Sequence, residues 1–150
     1  MIEEKTKIYI AGLIDRSCSI SIRTDNTKQK YGTYHSVQIV LSSRLEIVEF
    51  LQNLYGGSIS QKKNSKTSYR LTITNKKARK LIEDIQPYIK FKKEHFKLCV
   101  DLFKLPLTTD RIINEDIRKE REKIRIKMCE LNLQKGYGKS HIPTSELLKN

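Results

Sequence analysis

The sequence predicts an α+β fold in which helices cover one face of a four-stranded antiparallel sheet. Short segments that alternate polar and apolar residues occur in pairs, and a polar loop separates the two members of each pair. This pattern is typical of hairpins with one buried face. Each pair is followed by apolar residues at helical spacing, so the chain contains the same strand-strand-helix unit twice.

The expected order of elements is α-ββ-α-ββ-α-α. An apolar helix ending at Asp15 leads directly into the first strand, and Gly56 or Gly57 ends the second helix in a left-handed conformation. The expected strands are 19–24, 36–42, 58–62 and 68–74; the later expected helices are 45–55, 78–85, 96–103 and a charged helix from 109 or 110 to about 132.

Length and composition indicate one domain. The chain has 150 residues, of which 37% are hydrophobic, enough for one compact core over residues 1–132. Residues 133–150 are expected to form a loosely ordered tail. The start MIEEKTK lacks the apolar segment of a secretory signal, and no run approaches the roughly 20 apolar residues of a membrane span. We therefore expect an intracellular protein with no membrane partner.

Charge points to a polyanionic partner. The chain has 30 Lys and Arg residues and 17 Asp and Glu residues, which gives a formal net charge of +13. Nucleic acid explains this imbalance most simply. The three cysteines are odd in number and far apart in sequence, so neither a disulfide framework nor a zinc site is expected, and no metal-ligand set is assigned.

One face of the predicted sheet is polar and carries cations without an acidic residue. Strand alternation directs these side chains outward: Ser19, Ser21, Arg23, Ser36, Gln38, Ser60, Lys62, Arg70 and Thr72. Such side chains hydrogen-bond base edges and phosphates in the major groove. The segment 61–80 adds a cluster of Lys and Arg residues with no acid. An ordinary solvated sheet face remains the alternative.

Five features of the chain belong together: YIAGLID, the following Ser-Ile-Ser-Ile, the two strand-strand-helix units, IQPYIKFKKEHFKLCVDLF and the late KMCELN. In these features the chain resembles the single-motif LAGLIDADG homing endonucleases. The resemblance covers about Lys7 to Asn132. It implies a homodimer that binds a long, pseudo-palindromic duplex DNA site. In the motif helix, the small residues Ala11 and Gly12 allow two helices to approach closely across a two-fold axis. The implied dimer interface comprises Ile10, Ala11, Gly12, Leu13 and Ile14.

The resemblance also implies a Mg²⁺-dependent nuclease centre, and this sequence departs from it. Asp15 matches the first motif aspartate, which is assigned mainly to hydrogen bonding at the helix end. The metal carboxylate of active relatives falls on Ser17, a neutral hydroxyl, and the usual glycine falls on Cys18. If the backbone there required a positive φ, a residue with a Cβ would be disfavoured by roughly 1 kcal/mol or more, so Cys18 hints at a relaxed junction. Lys92 matches a lysine near the scissile phosphate.

We therefore expect a DNA-binding homodimer whose nuclease centre is weakened or disabled and whose Mg²⁺ binding is weak or absent. Two alternatives remain. One is an active Mg²⁺-dependent homing endonuclease that uses another carboxylate, such as Asp15 or Glu94. The other is a splicing helper that binds intron RNA, a role also found in this family.

Overall fold

The computed structural model describes residues 2–25, 34–105 and 115–134. Its helices are α1 (Glu4–Ser17), α2 (Leu45–Tyr55), α3 (Asn75–Ile85), α4 (Lys93–Lys104) and α5 (Glu115–Gln134); its strands are β1 (Cys18–Asp25), β2 (Tyr34–Ser43), β3 (Ser58–Gln61) and β4 (Tyr69–Thr74). The predicted α+β class is confirmed. The observed order is α-ββ-α-ββ-α-α-α, with α3, α4 and α5 at the three predicted helical segments, so the expected summary order was one helix short.

The four strands form one antiparallel sheet in the order β1-β2-β4-β3. Both predicted hairpin pairings occur, with Ile20 opposite Ile39 in the first and Ile59 opposite Leu71 in the second. The central pairing joins β2 to β4, with Leu41 opposite Leu71. The two repeated units therefore share a single sheet.

The core lies between the sheet and the helices. Alternate strand residues such as Ile20, Ile39 and Ile73 are buried, and α3 contributes Leu81 and Ile82 to the same cluster. Burying one such side chain stabilises the fold by about 1.5–3 kcal/mol. The opposite sheet face is left without helices from the described part of the chain, which makes it the accessible face.

α1 continues into β1 without a loop. Ser17 is the last helical residue and Cys18 the first of the strand, at φ −101° and ψ 155°. This is ordinary extended backbone without a positive φ, which agrees with the relaxed junction that Cys18 suggested. Cys18 is buried, and its side chain fills space under the sheet.

Glycine ends α2, as predicted. Gly56 follows the helix at φ +83°, and its N–H donates to the carbonyl of Gln52 over 2.7 Å. Gly57 lies at φ +106°, and a Cβ there would lie 2.6 Å from the carbonyl oxygen of Thr72. Both positions need glycine for its freedom at positive φ, and Gly57 also needs it for the close approach of β4.

His35 lies near the start of β2 and faces the helices. It is 8% exposed, and its Nε2 lies 2.8 Å from Glu122 Oε2 of α5. Glu122 also pairs with Arg125. The predicted start of the charged helix at 109 or 110, and the tail beyond residue 134, lie outside the described residues.

Candidate nucleic-acid interface

The outer face of the sheet is the side opposite the helices. Eight of its nine predicted residues occupy outward strand positions, with Ser21 opposite Gln38, Arg23 opposite Ser36 and Ser60 opposite Arg70. Each of the nine side chains is exposed or half-buried. The described side chains of this face include no carboxylate, so the face presents hydroxyls, an amide and guanidinium groups.

Lys62, the ninth residue, lies just beyond β3. Its N–H donates to the carbonyl of Ser68 over 3.1 Å, which extends the β3–β4 pairing by one residue. The turn that follows is held by Ser65 Oγ, which accepts from the N–H groups of Thr67 and Ser68. Lys62, Lys63 and Lys66 are all exposed around this turn. A phosphate backbone crossing the end of the sheet would meet these cations.

Asp15 fastens the C-terminal end of α1 to the loop before α4. Its Oδ2 accepts from the N–H of Lys90 over 2.7 Å, and its Oδ1 accepts from those of Phe91 and Lys92 over 3.2 and 3.1 Å. Both carboxylate oxygens are therefore occupied by backbone donors. The geometry agrees with the hydrogen-bonding role that the resemblance implied for Asp15.

Ser17 opens onto a depression at the end of α1, here called the foot depression. It has a volume of about 220 Å³ and is lined by Arg16, Ser17, Cys18, Ser19, Val40, Ser42 and Arg70. Sequence reasoning placed Arg70 on the outer face but not beside Ser17, and it missed Ser42. The pairing of β2 with β4 puts Ser42 opposite Arg70, and no local pattern in the sequence reveals that pairing.

These residues do not fit a divalent cation. Mg²⁺ prefers carboxylate and other oxygen ligands and is bound by one or two carboxylates plus phosphate oxygens. The foot depression has two guanidinium groups and no carboxylate among its lining residues. Within the described ranges, no group of three or more His, Cys, Asp or Glu side chains could hold a metal ion.

Lys92 is buried close to Cys18 rather than exposed at the surface. It is 5% exposed, and its positive charge lowers the pKa of the Cys18 thiol, although burial dominates and raises that pKa to about 12. Burial likewise raises the pKa of Cys99 to about 12, with Cys18 adding to the shift. Both thiols are therefore neutral at physiological pH and act as apolar packing groups.

The predicted dimer-interface residues divide between the two sides of α1. Ile10, Ala11 and Ile14 are 0–1% exposed because they pack into the core of their own chain. Their packing in their own chain leaves Gly12 and Leu13 as the more accessible members of the predicted set, and the contact of all five with a partner stays a prediction. Gly12 is exposed and Leu13 half-buried, and a Cβ on Gly12 would meet no atom within 4 Å.

The accessible side of α1 carries apolar side chains that sequence reasoning did not assign to an interface. Ile8 and Tyr9 are 50% and 54% exposed. The Tyr9 ring contacts that of Phe50 on α2 edge to face, with the centroids 6.1 Å apart. Phe91, beside the end of α1, is 76% exposed. We call Ile8, Tyr9, Gly12, Phe50 and Phe91 the α1 patch. The sequence signal that could have indicated this surface is the presence of apolar residues outside the core-facing stripe of α1.

A motif helix that feeds a four-stranded antiparallel sheet with a basic outer face defines the architecture of the LAGLIDADG proteins. The chain belongs to this family: the model described as "LAGLIDADG endonuclease" matches residues 10–103. No curated protein sequence matches the chain significantly.

Solved structures of homing endonucleases share the fold. I-CvuI in complex with its target in the presence of Ca superposes with a TM-score of 0.74 at 17% identity, covering 97% of this chain and 91% of that one. I-CvuI bound to the I-CreI target in the presence of Mg, with DNA not cleaved, gives 0.71 at 16%, covering 85% and 82%. The archaeal intron-encoded I-Vdi141I complexed with DNA gives 0.71 at 20%, covering 93% and 89%.

None of the helices in the described ranges is both long enough and apolar enough to cross a membrane.

Proposed function

We propose that this chain binds double-stranded DNA as a homodimer, through the outer faces of two sheets, with a nuclease centre that is weakened or disabled at Ser17. The observation that carries DNA binding is the outer face itself, where Arg23, Arg70 and the lysines around residues 62–66 accompany hydroxyls and Gln38. Phosphate contacts from the cations would give affinity, and the polar strand residues would read base edges. The DNA complexes of the similar structures support this proposal.

The homodimer is supported by the α1 patch. Ile8, Tyr9, Phe50 and Phe91 are four of the five large exposed hydrophobic residues in the described part of the chain, and they surround the accessible side of α1. Large apolar side chains exposed on one side of a helix mark an interaction site. Gly12 lies within it, and its lack of a side chain allows a second helix to approach closely. Two copies of α1 related by a two-fold axis would cover the patch.

Analytical ultracentrifugation across a dilution series tests the dimer. Tyr9→Glu places a charge in the patch, so we expect it to shift the chain to monomer while circular dichroism stays unchanged. Glu46→Gln, on the exposed first turn of α2, is the control and should leave the association constant unchanged. A wild-type chain that stays monomeric at high concentration would contradict the homodimer.

The weakened centre is supported by three positions. Ser17 supplies no negative charge where active relatives supply a carboxylate, so a dimer lacks two charges beside the scissile phosphates. Asp15 has both oxygens occupied by backbone N–H groups. Glu94 lines a groove between α4 and α5 together with Asp101 and Glu130, and it is absent from the lining of the foot depression. Neither carboxylate considered as a substitute is available there.

A digestion experiment tests the nuclease centre. Duplexes that the full chain retains from a randomised pool define a bound site, which is then incubated with Mg²⁺ or Mn²⁺. We expect binding without cleavage for the wild-type chain and Mg²⁺-dependent nicking for Ser17→Asp. Because Cys18 has extended backbone, no change at Cys18 is needed. Ser17→Asn, which adds bulk without charge, should not nick. Wild-type cleavage that is lost in Asp15→Asn would overturn the weakened centre.

Competition distinguishes DNA from RNA as the partner. Labelled duplex DNA is displaced by unlabelled duplex or by structured intron RNA at one stated salt concentration, because electrostatic affinity depends steeply on salt. Displacement by duplex at lower concentration supports the proposal. Preferential displacement by the RNA would replace duplex DNA binding with the splicing-helper role.

A further inference from the structure

The foot depression collects positive charge from two separate elements. Arg16 comes from the last turn of α1, and Arg70 comes from β4. Within the described part of the chain neither guanidinium has a carboxylate partner. Two like charges at one small depression repel each other, and an anion between them would remove that repulsion.

The rest of the depression suits an oxyanion. Ser17, Ser19 and Ser42 bring hydroxyl groups that can donate hydrogen bonds, and the lining contains no acidic side chain that would repel a phosphate. The nearest carboxylate in sequence, Asp15, is turned to the backbone N–H groups of residues 90–92. Its negative charge is partly neutralised there.

The C-terminal end of α1 would by itself disfavour an anion, because unpaired carbonyls at a helix C-terminus carry partial negative charge. Arg16 lies in that last turn and offsets the unfavourable end. Arg70 approaches from the neighbouring sheet rather than from the helix. Arginine presents a rigid fork of N–H donors that matches two oxygens of one phosphate group.

We propose that the foot depression binds one phosphodiester group of the nucleic-acid backbone per protomer, by direct contact with Arg16 and Arg70 and with no divalent cation between protein and phosphate. The inference deepens the proposed function and rests on it, since a duplex must lie on the outer face to deliver the phosphate. The position that holds a metal ion in active relatives thus becomes an anchor for the backbone.

A titration with inorganic phosphate tests the site without any duplex. The side-chain Nε–H signals of a ¹⁵N-labelled chain are followed by NMR and assigned from their loss in Arg16→Gln and Arg70→Gln. We expect both signals to shift together and saturate. The signal of Arg79, an exposed arginine paired with Glu83 on α3, should stay in place. Absent shifts, or an equal shift of Arg79, would overturn the phosphate site whether or not the chain binds DNA.

Duplex binding then tests the role of the site. In EDTA, Arg16→Gln and Arg70→Gln should each lower the affinity for a mixed-sequence duplex roughly tenfold. Each should also reduce the slope of log affinity against log salt concentration by about two per dimer, one for each lost phosphate contact. Arg79→Gln removes the same charge from the helical side and should change neither quantity.

The dependence on divalent ions separates this inference from the proposed function. The wild-type chain should bind duplex in EDTA at least as tightly as in Ca²⁺ at equal ionic strength. Duplex binding that requires Ca²⁺, or that is unchanged in both Arg16→Gln and Arg70→Gln, would refute direct phosphate binding without a metal ion while leaving DNA binding intact. Failure to bind duplex under either condition would refute the proposed function, and with it the role of the anchor.

Discussion

Removing the Asp15 carboxylate should destabilise the fold substantially. In Asp15→Ala, the N–H groups of Lys90, Phe91 and Lys92 lose their acceptor together. A hydrogen bond contributes about 0.5–1.5 kcal/mol net, so three predict a loss of about 3 kcal/mol. Asp15→Asn keeps one oxygen but turns an NH₂ group toward a backbone donor, so its loss should be about 1–2 kcal/mol.

Urea unfolding at fixed protein concentration measures these losses. Asp101→Ala is the control, because Asp101 is a half-buried aspartate of α4 that forms no hydrogen bond or ion pair with the residues that the structure describes. Its effect should stay within about 0.5 kcal/mol. Hydrogen exchange at the amides of residues 90–92 should accelerate in Asp15→Ala alone. A free energy of unfolding no lower for Asp15→Ala than for Asp101→Ala would refute the reasoning.

Three further outcomes are expected. Burial lowers the pKa of His35 below 6.5 despite its hydrogen bond to Glu122, so the unfolded chain binds the proton more readily than the folded chain. The free energy of unfolding should therefore fall as pH drops below about 6.5. Thermal unfolding of His35→Gln should show a flatter dependence on pH. Gly57→Ala should lower the free energy of unfolding by about 2 kcal/mol or more in urea denaturation, because of positive φ and the contact with Thr72; an unchanged value would contradict this. A maleimide should label half-buried Cys129 before Cys18 and Cys99, and mass spectrometry showing early labelling of Cys99 would contradict the burial of that thiol.

Local patterns in the sequence predicted the elements well. Period-two alternation gave all four strands to within two residues at each end, and it gave the correct face for the residues of the outer surface. The signal is strong because one face of every strand packs on the helices, so a shift of one residue would expose Ile20 or Ile39. The glycine at the end of α2 was likewise readable from local chemistry.

Non-local relationships were not predictable in the same way. The β2–β4 pairing brings Ser42 and Arg70 to the foot depression, and neither hairpin contains information about it. The motif helix is apolar almost all round, so composition alone could not tell the core side, with Ile10 and Ile14, from the accessible side, with Tyr9. The hydrogen bond of His35 is equally non-local, since its partner Glu122 is distant in sequence.

The three hydrogen bonds of Asp15 give the last turn of α1 a structural residue that is distinct from Ser17, two positions later. The Asp15 carboxylate fastens α1 to the loop before α4, while Ser17 lines the open foot depression. Natural variation can therefore exchange hydroxyl for carboxylate at position 17 without rebuilding the surrounding protein. If the proposed function is correct, the exchange at this one position separates DNA binding from DNA cleavage, and protein engineers could use the same freedom.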